Sequence, residues 1–204
     1  MTTNYPSPTG VTYVLSTESA KEIANYLERT AFLPFTSSEK TEEFFLAASL
    51  IGKLLPDDIF KALIQFRCKC NDDGVILIKG FAVDERKIGP TPETPTSERK
   101  TNYETEMYIA GVASVLGEVF AFGSQYGGTL IQNLVPVQSH VDQQLGTGSN
   151  VFLDWHTEDA ALDVRADYVG LLCLRSNPSA ATTVSSVRKM GIPDRYKATL
   201  FEPR

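Results

Sequence analysis

The decapeptide NVFLDWHTED, residues 150–159, begins as an apolar run and ends in an imidazole followed closely by two carboxylates. Its first residues have the composition of a buried β-strand, and strands alternate their side chains between two faces. The alternation places His156 and, if the extension persists, Glu158 on one face, with Trp155 on the other. Because the chain contains only two histidines, a histidine at this position is informative about function.

The spacing of His156 and Glu158 suits a metal site. At about 3.3 Å per residue their Cα atoms lie roughly 6.6 Å apart, which lets both side chains reach one ion through bonds of about 2.0 to 2.2 Å. One histidine and one carboxylate are two thirds of the 2-His-1-carboxylate triad that binds non-heme Fe(II). The alternative is a solvent-exposed histidine near a strand end, with acids that cap a turn.

Two other chemistries that use a His-x-Glu pattern do not fit. Zinc nucleobase deaminases require a later Pro-Cys-x-x-Cys motif, and only Cys173 follows His156. Zincin proteases require two histidines on one helix, and no histidine follows His156. The residues alone therefore leave two interpretations open, an iron site and an ordinary strand end.

Composition predicts one globular domain over residues 1–204. The chain is 42% hydrophobic and 22% charged, with a net charge of -6, so it lacks the basic surface that nucleic acids require. It begins without the basic and apolar regions of a signal peptide. No apolar run reaches the roughly 18 to 20 residues that span a membrane. Three cysteines form no disulfide framework, and we therefore expect a cytoplasmic protein without a nucleic-acid or membrane partner.

The predicted elements are helices first and strands afterwards. Amphipathic patterns predict helices over residues 18–30, 37–55, 56–70 and 103–118. The first should be capped by Ser16 or Thr17, and its buried face should comprise Ala20, Ile23, Ala24 and Leu27. Short apolar runs between turn residues predict strands at 75–78, 119–125, 129–137, 150–156, 166–176 and 181–187. This order favours a barrel or sandwich with helices packed outside.

A proline-rich segment, residues 84–101, interrupts the pattern with Pro90, Pro92 and Pro95. Loops of this length inside a compact domain are uncommon and are often functional lids. The alternative is a surface excursion without a role. Directly after it, Thr101 and Glu104 have the spacing of a capping box for the next helix.

Residues 151–189, VFLDWHTEDAALDVRADYVGLLCLRSNPSAATTVSSVRK, resemble the iron-binding segment of the clavaminate synthase-like Fe(II)/2-oxoglutarate-dependent oxygenases. The resemblance is strongest to those that hydroxylate free arginine, lysine or asparagine. The shared strings are H-T-E-D, R-x-D-Y-V-G-L and A-T-T-x-x-S, and similarity extends upstream through DGVILIKGF, GEVFAFGSQYGG and LVPVQSH. The resemblance implies an α+β fold, with a helical part over residues 1–72 packed outside an incomplete double-stranded β-helix, or jelly roll, over residues 73–204.

The resemblance also implies roles for single residues. His156 and Glu158 match the first two iron ligands, and Glu158 is also expected at the substrate. Thr183 matches a threonine that hydrogen-bonds 2-oxoglutarate, for which a hydroxyl donor is suited. The alternative for Thr183 is an ordinary strand threonine.

The expected substrate contacts lie upstream of the iron ligands. Gln125 resembles the glutamine that holds the amino-acid head group, although a turn amide bonded to local backbone is the alternative. The segment Gly146–Ser149 resembles a stretch that contacts the backbone atoms of the substrate. Strand alternation puts Ser149 on the face away from His156, which favours Gly146 and Thr147. Asp159 either orients its neighbours or is exposed to solvent.

The rest of the family's site has no counterpart here. The family adds a distal histidine and then an arginine that pairs with 2-oxoglutarate, whereas no histidine follows His156. His140 lies upstream in a predicted loop and is expected at the surface. Without a distal histidine, the 2-oxoglutarate role cannot be assigned to any of the remaining arginines, Arg188, Arg195 and Arg204. We therefore expect a fragment of a longer enzyme, with a naturally short chain as the alternative.

The function implied by the resemblance is that of an Fe(II)/2-oxoglutarate-dependent dioxygenase. Such an enzyme uses O2 to hydroxylate an unactivated carbon of a free L-amino acid, and a basic one, lysine or arginine, is the first expectation. The alternative is a catalytically inactive, shortened paralogue that binds a small molecule or a protein.

Overall fold

The structure is a computed structural model that describes residues 11–31, 38–95, 102–160, 162–177, 180–200 and 202, and of residues 38–41 and 126 only the backbone. Within these residues the strands are β1 (Thr12–Val14) and β2 (Leu77–Lys79). The helices are α1 (Thr17–Thr30), α2 (Ser38–Leu54), α3 (Asp57–Lys69), α4 (Glu85–Ile88), α5 (Glu104–Leu116) and α6 (Asp194–Leu200). Three single 3-10 turns follow α5, at Tyr126–Gly128, Gln138–His140 and Val187–Lys189.

Helix α1 begins where the sequence predicts. The Ser16 hydroxyl accepts a hydrogen bond from the Ser19 amide at 3.0 Å and satisfies one of the unpaired donors of the first turn. Ile23 and Leu27 are fully buried, as predicted. Ala24 is exposed, contrary to the prediction, because the buried face of α1 is narrower than predicted and does not include it.

The core lies among α1, α2, α3 and α5. Phe44 and Ile51 of α2 and Met107 of α5 have no exposed surface, and together with Ile23 and Ile59 they join the helices into one apolar cluster. Burying a side chain of this size stabilises the fold by about 1.5 to 3 kcal/mol. The predicted helical layer is therefore present and supplies the packed part of the molecule.

Two predicted helix starts differ in detail. Helix α3 begins at Asp57, and Pro56 is its N-cap rather than its first residue. Helix α5 begins at Glu104 with Tyr103 as N-cap, and its first amide donates to Asn102 Oδ1 at 3.0 Å. Glu104 is thus the first helical residue, so it cannot close the predicted capping box, and Thr101 lies outside the described residues.

The sheet is much smaller than the sequence predicts. Strands β1 and β2 pair in parallel, with Tyr13 opposite Ile78. The strand predicted at 75–78 is thus observed two residues later, and it is half-buried because β1 is its single partner. The described residues of the other five predicted strands, at 119–125, 129–137, 150–156, 166–176 and 181–187, form no regular strand.

The missing strands leave apolar side chains in solvent. Phe152 is 66% exposed and Trp155 60%, and Val169 and Leu171 are more than half exposed. A strand needs a hydrogen-bonding neighbour to become part of a sheet, and the described residues supply none to these segments. In the described residues the alternation seen in residues 150–159 therefore separates no buried face from an exposed one, and the jelly roll stays a prediction.

The described part of the proline-rich segment, residues 84–95, is attached to the rest of the molecule. Helix α4 lies within it, and Lys87 Nζ contacts Glu104 Oε1 at 2.7 Å. Arg175 reaches back across the sequence, and its guanidinium donates to Glu85 Oε2 at 2.7 and 3.0 Å. This part of the segment is therefore held from two sides and is not an unattached excursion.

Two further observations concern the cysteines and the helices. The three cysteines are free thiols. Among the described residues no helix has both the length and the apolar character required to cross a bilayer. The division into residues 1–72 and 73–204 and the cytoplasmic location stay predictions.

Candidate metal centre

The two residues predicted to bind a metal lie side by side. The distance from His156 Nε2 to Glu158 Oε2 is 3.5 Å, and the two side chains are 51% and 60% exposed. They extend from an irregular segment, residues 151–157, that belongs to no helix or strand. Two side chains that already face each other need little movement to share one ion.

The main chain fixes the chemistry of the imidazole. His156 Nδ1 lies 2.7 Å from the carbonyl oxygen of Asp154, and because a carbonyl can only accept, Nδ1 must carry the hydrogen. In the neutral ring Nε2 then holds the lone pair, on the side that faces Glu158. Metal-binding histidines are oriented in this way, with the second nitrogen donating to a carbonyl or carboxylate. The pair therefore fits a divalent iron ion, with one nitrogen and one oxygen donor.

The same contacts affect protonation of the ring. The hydrogen bond to the Asp154 carbonyl is the largest influence and raises the pKa of His156; desolvation lowers the pKa by a smaller amount, and Glu158 adds a still smaller increase. A raised pKa means that a proton competes for Nε2. Metal binding to this ring would consequently release a proton.

Gln125, from a distant part of the sequence, contacts the residue that follows Glu158. Its side-chain amide donates to Asp159 Oδ1 at 2.7 Å, across 34 positions of sequence. Asp159 is half-buried and has a φ of 50°, in the left-handed region that aspartate tolerates better than most residues. The solvent-exposed alternative for Asp159 is therefore wrong, and Gln125 is not bonded to local backbone alone. The structure thus places Gln125 in contact with Asp159, the residue that follows Glu158 in the sequence.

Gly146 and Thr147 line a separate open cleft of about 390 Å³. Its walls also include Thr94, Pro95, Val137, Ser139, His140 and Leu145. Thr147 is only 8% exposed, and its hydroxyl lies 2.8 Å from Nδ1 of His140. His140 lies at the surface in the wall of this open cleft, and the bond to Thr147 leaves its ring half-buried.

The remaining predicted residue, Thr183, is half-buried in an irregular segment. Within the described part of the chain no hydrogen bond joins it to His156 or Glu158. Nor do the described side chains contain any group of three or more His, Cys, Asp or Glu residues arranged to hold a metal. The observed donor set is the pair alone.

Two contributors to the site have no signal in the sequence. The Asp154 carbonyl that holds His156 is a backbone group, which any residue would provide. The side-chain amide of Gln144 donates to Asp154 Oδ2 at 2.9 Å and to the Phe152 carbonyl at 3.3 Å. A glutamine ten positions before an aspartate follows no structural periodicity, so only the fold reveals the contact.

Comparison with known proteins places this geometry in context. No protein-family model matches the chain. It is 30% identical over 171 residues to an enduracididine beta-hydroxylase of Streptomyces hygroscopicus, covering 82% of this chain and 49% of that protein. It is 34% identical over 161 residues to an L-ornithine/L-arginine 3-hydroxylase of Catenulispora acidiphila, covering 77% and 46%.

A solved structure of an oxygenase is similar to the same part of this chain. The non-heme iron oxygenase OrfP, in complex with Fe, succinate and (3R,4R)-dihydroxy-L-Arg, superposes with a TM-score of 0.69 at 28% identity. The match covers 79% of this chain and 47% of OrfP. The chain thus spans about half the length of the curated relatives it matches. Over that half it is similar to amino-acid hydroxylases and to a non-heme iron oxygenase.

Proposed function

We propose that this chain carries the proximal iron ligands and part of the substrate site of an Fe(II)/2-oxoglutarate-dependent dioxygenase. Its substrate would be a free basic L-amino acid, lysine or arginine, hydroxylated at an unactivated carbon. One observation carries the proposal. The Asp154 carbonyl holds His156 as the tautomer whose Nε2 lone pair faces the Glu158 carboxylate, in a chain related to amino-acid hydroxylases.

In this proposal each residue has a limited task. His156 Nε2 and a Glu158 oxygen hold the iron, and the Thr183 hydroxyl donates to a carboxylate oxygen of 2-oxoglutarate. Bound iron with 2-oxoglutarate and O2 supplies the oxidising power for breaking a C–H bond, which no side chain has. The chain's own contribution is to fix the positions of the donors.

The substrate side of the proposal rests on Gln125. The Gln125 amide donates one hydrogen to Asp159 Oδ1 at 2.7 Å, and this contact fixes the orientation of its other hydrogen and of its oxygen. An amide offers both a donor and an acceptor, and so suits a head group that carries both an ammonium and a carboxylate. Gly146 and Thr147 would contact the backbone atoms of the amino acid from the cleft that they line.

The preference for a basic substrate comes from the relatives. One of them is named for ornithine and arginine, and OrfP holds a dihydroxylated arginine. The net charge of -6 is compatible with a cationic substrate. In the same proposal, the segments without regular strands pair as the strands of a jelly roll when neighbouring strands are available.

Trp155 offers a direct test of metal binding. It is the only tryptophan and immediately precedes His156, so an ion at this site should change its fluorescence. Titration of the metal-free chain with Fe(II) under anaerobic conditions should give a saturable change that is lost in His156→Ala and weakened in Glu158→Gln. His140→Ala, which removes the other histidine, is the control and should behave as wild type. A response that survives His156→Ala would refute the assignment of the ligands.

The activity itself is tested by succinate formation from 2-oxoglutarate. The assay uses Fe(II) and a panel of L-amino acids, with this chain and with any longer in-frame product that reading the gene beyond residue 204 reveals. We expect lysine- or arginine-dependent turnover in a chain that also contains a distal histidine and arginine, and loss of turnover in His156→Ala. Metal binding without amino-acid-dependent turnover in such a chain would favour the non-catalytic binding protein instead.

A further inference from the structure

Gln144 connects two parts of the site that lie on different segments. Its side-chain nitrogen is 2.9 Å from Asp154 Oδ2, well within hydrogen-bonding range, and 3.3 Å from the Phe152 carbonyl, at the long end of that range. A primary amide has two hydrogens to donate, so one side chain holds both a carboxylate and a carbonyl. The two acceptors lie two residues apart, immediately before His156.

Asp154 connects Gln144 to His156, because it forms a hydrogen bond with each of them. While its side chain accepts from Gln144, its carbonyl oxygen accepts the Nδ1 hydrogen of His156 at 2.7 Å. The orientation of that carbonyl depends on the backbone of residues 152–154, which the described structure places in no helix or strand. Because no ladder of strand hydrogen bonds holds this backbone, the two bonds from Gln144 are a major restraint on it.

The loop that carries Gln144 is itself well fixed. The Val137 amide donates to the Thr147 carbonyl at 2.9 Å, and the Asn150 amide donates to the Val141 carbonyl at 2.9 Å, which closes residues 137–150 into a compact loop. Gly146 and Thr147 lie on the same loop. The hydrogen bonds of Gln144 therefore connect the proposed substrate segment to the backbone that holds the proposed metal ligand.

We propose that Gln144 is a positioning residue for His156. Through Asp154 it keeps the imidazole in the tautomer with hydrogen on Nδ1, and so keeps the Nε2 lone pair directed at the metal position. This inference rests on the proposed function, because it assumes that His156 binds the iron. It assigns to Gln144 no contact with the metal, with 2-oxoglutarate or with the substrate.

The neighbouring glutamine provides a matched control. Gln143 donates to the Ser139 carbonyl at 3.2 Å, a bond that stays inside the loop. Gln143→Ala therefore removes an amide of the same size, one position away, without touching Asp154. Gln144→Glu keeps the shape but lacks the donor and sets a carboxylate against Asp154. Gln144→Lys keeps a donor and should restore part of the effect.

The first experiment needs no metal. Since the chain has two histidines, long-range proton–nitrogen NMR of the metal-free protein resolves both rings, and His140→Ala assigns them. At a pH where the ring is neutral, His156 should carry its hydrogen on Nδ1 in wild type and in Gln143→Ala. Gln144→Ala should shift it toward a mixture of tautomers. An unchanged tautomer in Gln144→Ala would overturn the inference.

The second experiment measures Fe(II) affinity through Trp155 fluorescence. Replacing groups that orient a metal-binding histidine typically lowers affinity 10- to 100-fold, and because Gln144 acts through Asp154 we expect a loss of about tenfold in Gln144→Ala. Gln144→Glu should lose at least as much, Gln144→Lys less, and Gln143→Ala nothing. Equal affinity in wild type and Gln144→Ala would overturn the inference while leaving the proposed function intact. A wild type that binds no Fe(II) would overturn the proposed function, and the tautomer measurement would still test whether Gln144 holds the ring.

Discussion

Replacing Gly111 by alanine tests how closely the two central helices pack. A Cβ at this position of α5 would lie 2.5 Å from the Ala48 carbonyl oxygen of α2, and closer still to Cβ of Ile51. Non-bonded carbon atoms prefer about 3.5 to 4.0 Å. Both obstacles are fixed to the backbone of α2 and cannot rotate away. The helices must therefore separate, which loosens the core around Ile51, a fully buried side chain.

The expected cost follows from two opposing effects. Overpacking a core costs about 1 to 3 kcal/mol, whereas alanine is better than glycine inside a helix by about 1 kcal/mol. The distances at Gly111 favour the upper part of the overpacking range, so we expect a net loss of up to about 2 kcal/mol. In a chain of this size 1 kcal/mol lowers Tm by about 2 to 4 °C. The expected fall in Tm is thus roughly 4 to 8 °C.

Thermal unfolding followed by far-UV circular dichroism measures this change. Gly52→Ala, on the facing helix, is the matched control. Its added Cβ would meet Cγ2 of Val115 at 2.9 Å, a single side-chain methyl group rather than backbone, so the required shift is smaller. We expect Gly52→Ala to lower Tm less than Gly111→Ala does. A Tm for Gly111→Ala at or above the wild-type value would refute the close packing of α2 and α5.

Arg175→Ala should loosen the proline-rich segment, because the guanidinium of Arg175 donates two hydrogen bonds to Glu85. Exposed ion pairs contribute at most about 1 kcal/mol to stability. Amide hydrogen exchange at residues 85–91 should therefore accelerate by up to about fivefold. Arg195→Ala, which removes an arginine that lies over a tyrosine ring elsewhere, should leave that exchange unchanged, and equal rates in the two variants would contradict the role of Arg175. Burial raises the pKa of Tyr108 to about 12. The folded protein then holds this proton more tightly than the unfolded chain, so its stabilising effect is complete below the ordinary pKa of about 10 and is lost as the pH rises toward 12. A tyrosinate absorbance titration should lose part of its late component in Tyr108→Phe, and an unchanged titration in that variant would contradict the assignment.

The helices could be predicted from the sequence because their causes are local. An apolar residue at every third or fourth position buries one stripe wherever the helix packs, and Ser16 caps α1 through a contact only three residues away. The proximity of His156 and Glu158 is local in the same sense. With only Thr157 between them, most extended conformations keep the two side chains within reach of one ion.

The strands could not be predicted because their causes are not local. A run such as residues 166–176 has the composition of a strand, but it forms one only when another segment offers hydrogen bonds along its length. Among the described residues only β1 and β2 find such partners, at a separation of 65 positions. The contact that half-buries His140 has no sequence signal for a related reason, since the hydroxyl belongs to Thr147, seven residues away.

The sequence by itself thus determined the helical layer, the proximity of His156 and Glu158 and the family resemblance, because each depends on side chains close together in the chain. Tertiary structure alone decided which nitrogen of His156 is available, through the Asp154 carbonyl and Gln144. It also decided that Gln125 meets Asp159 and that Arg175 holds the proline-rich segment. These contacts join residues far apart in sequence, or use backbone atoms that every residue has, and so leave no pattern in the order of the amino acids.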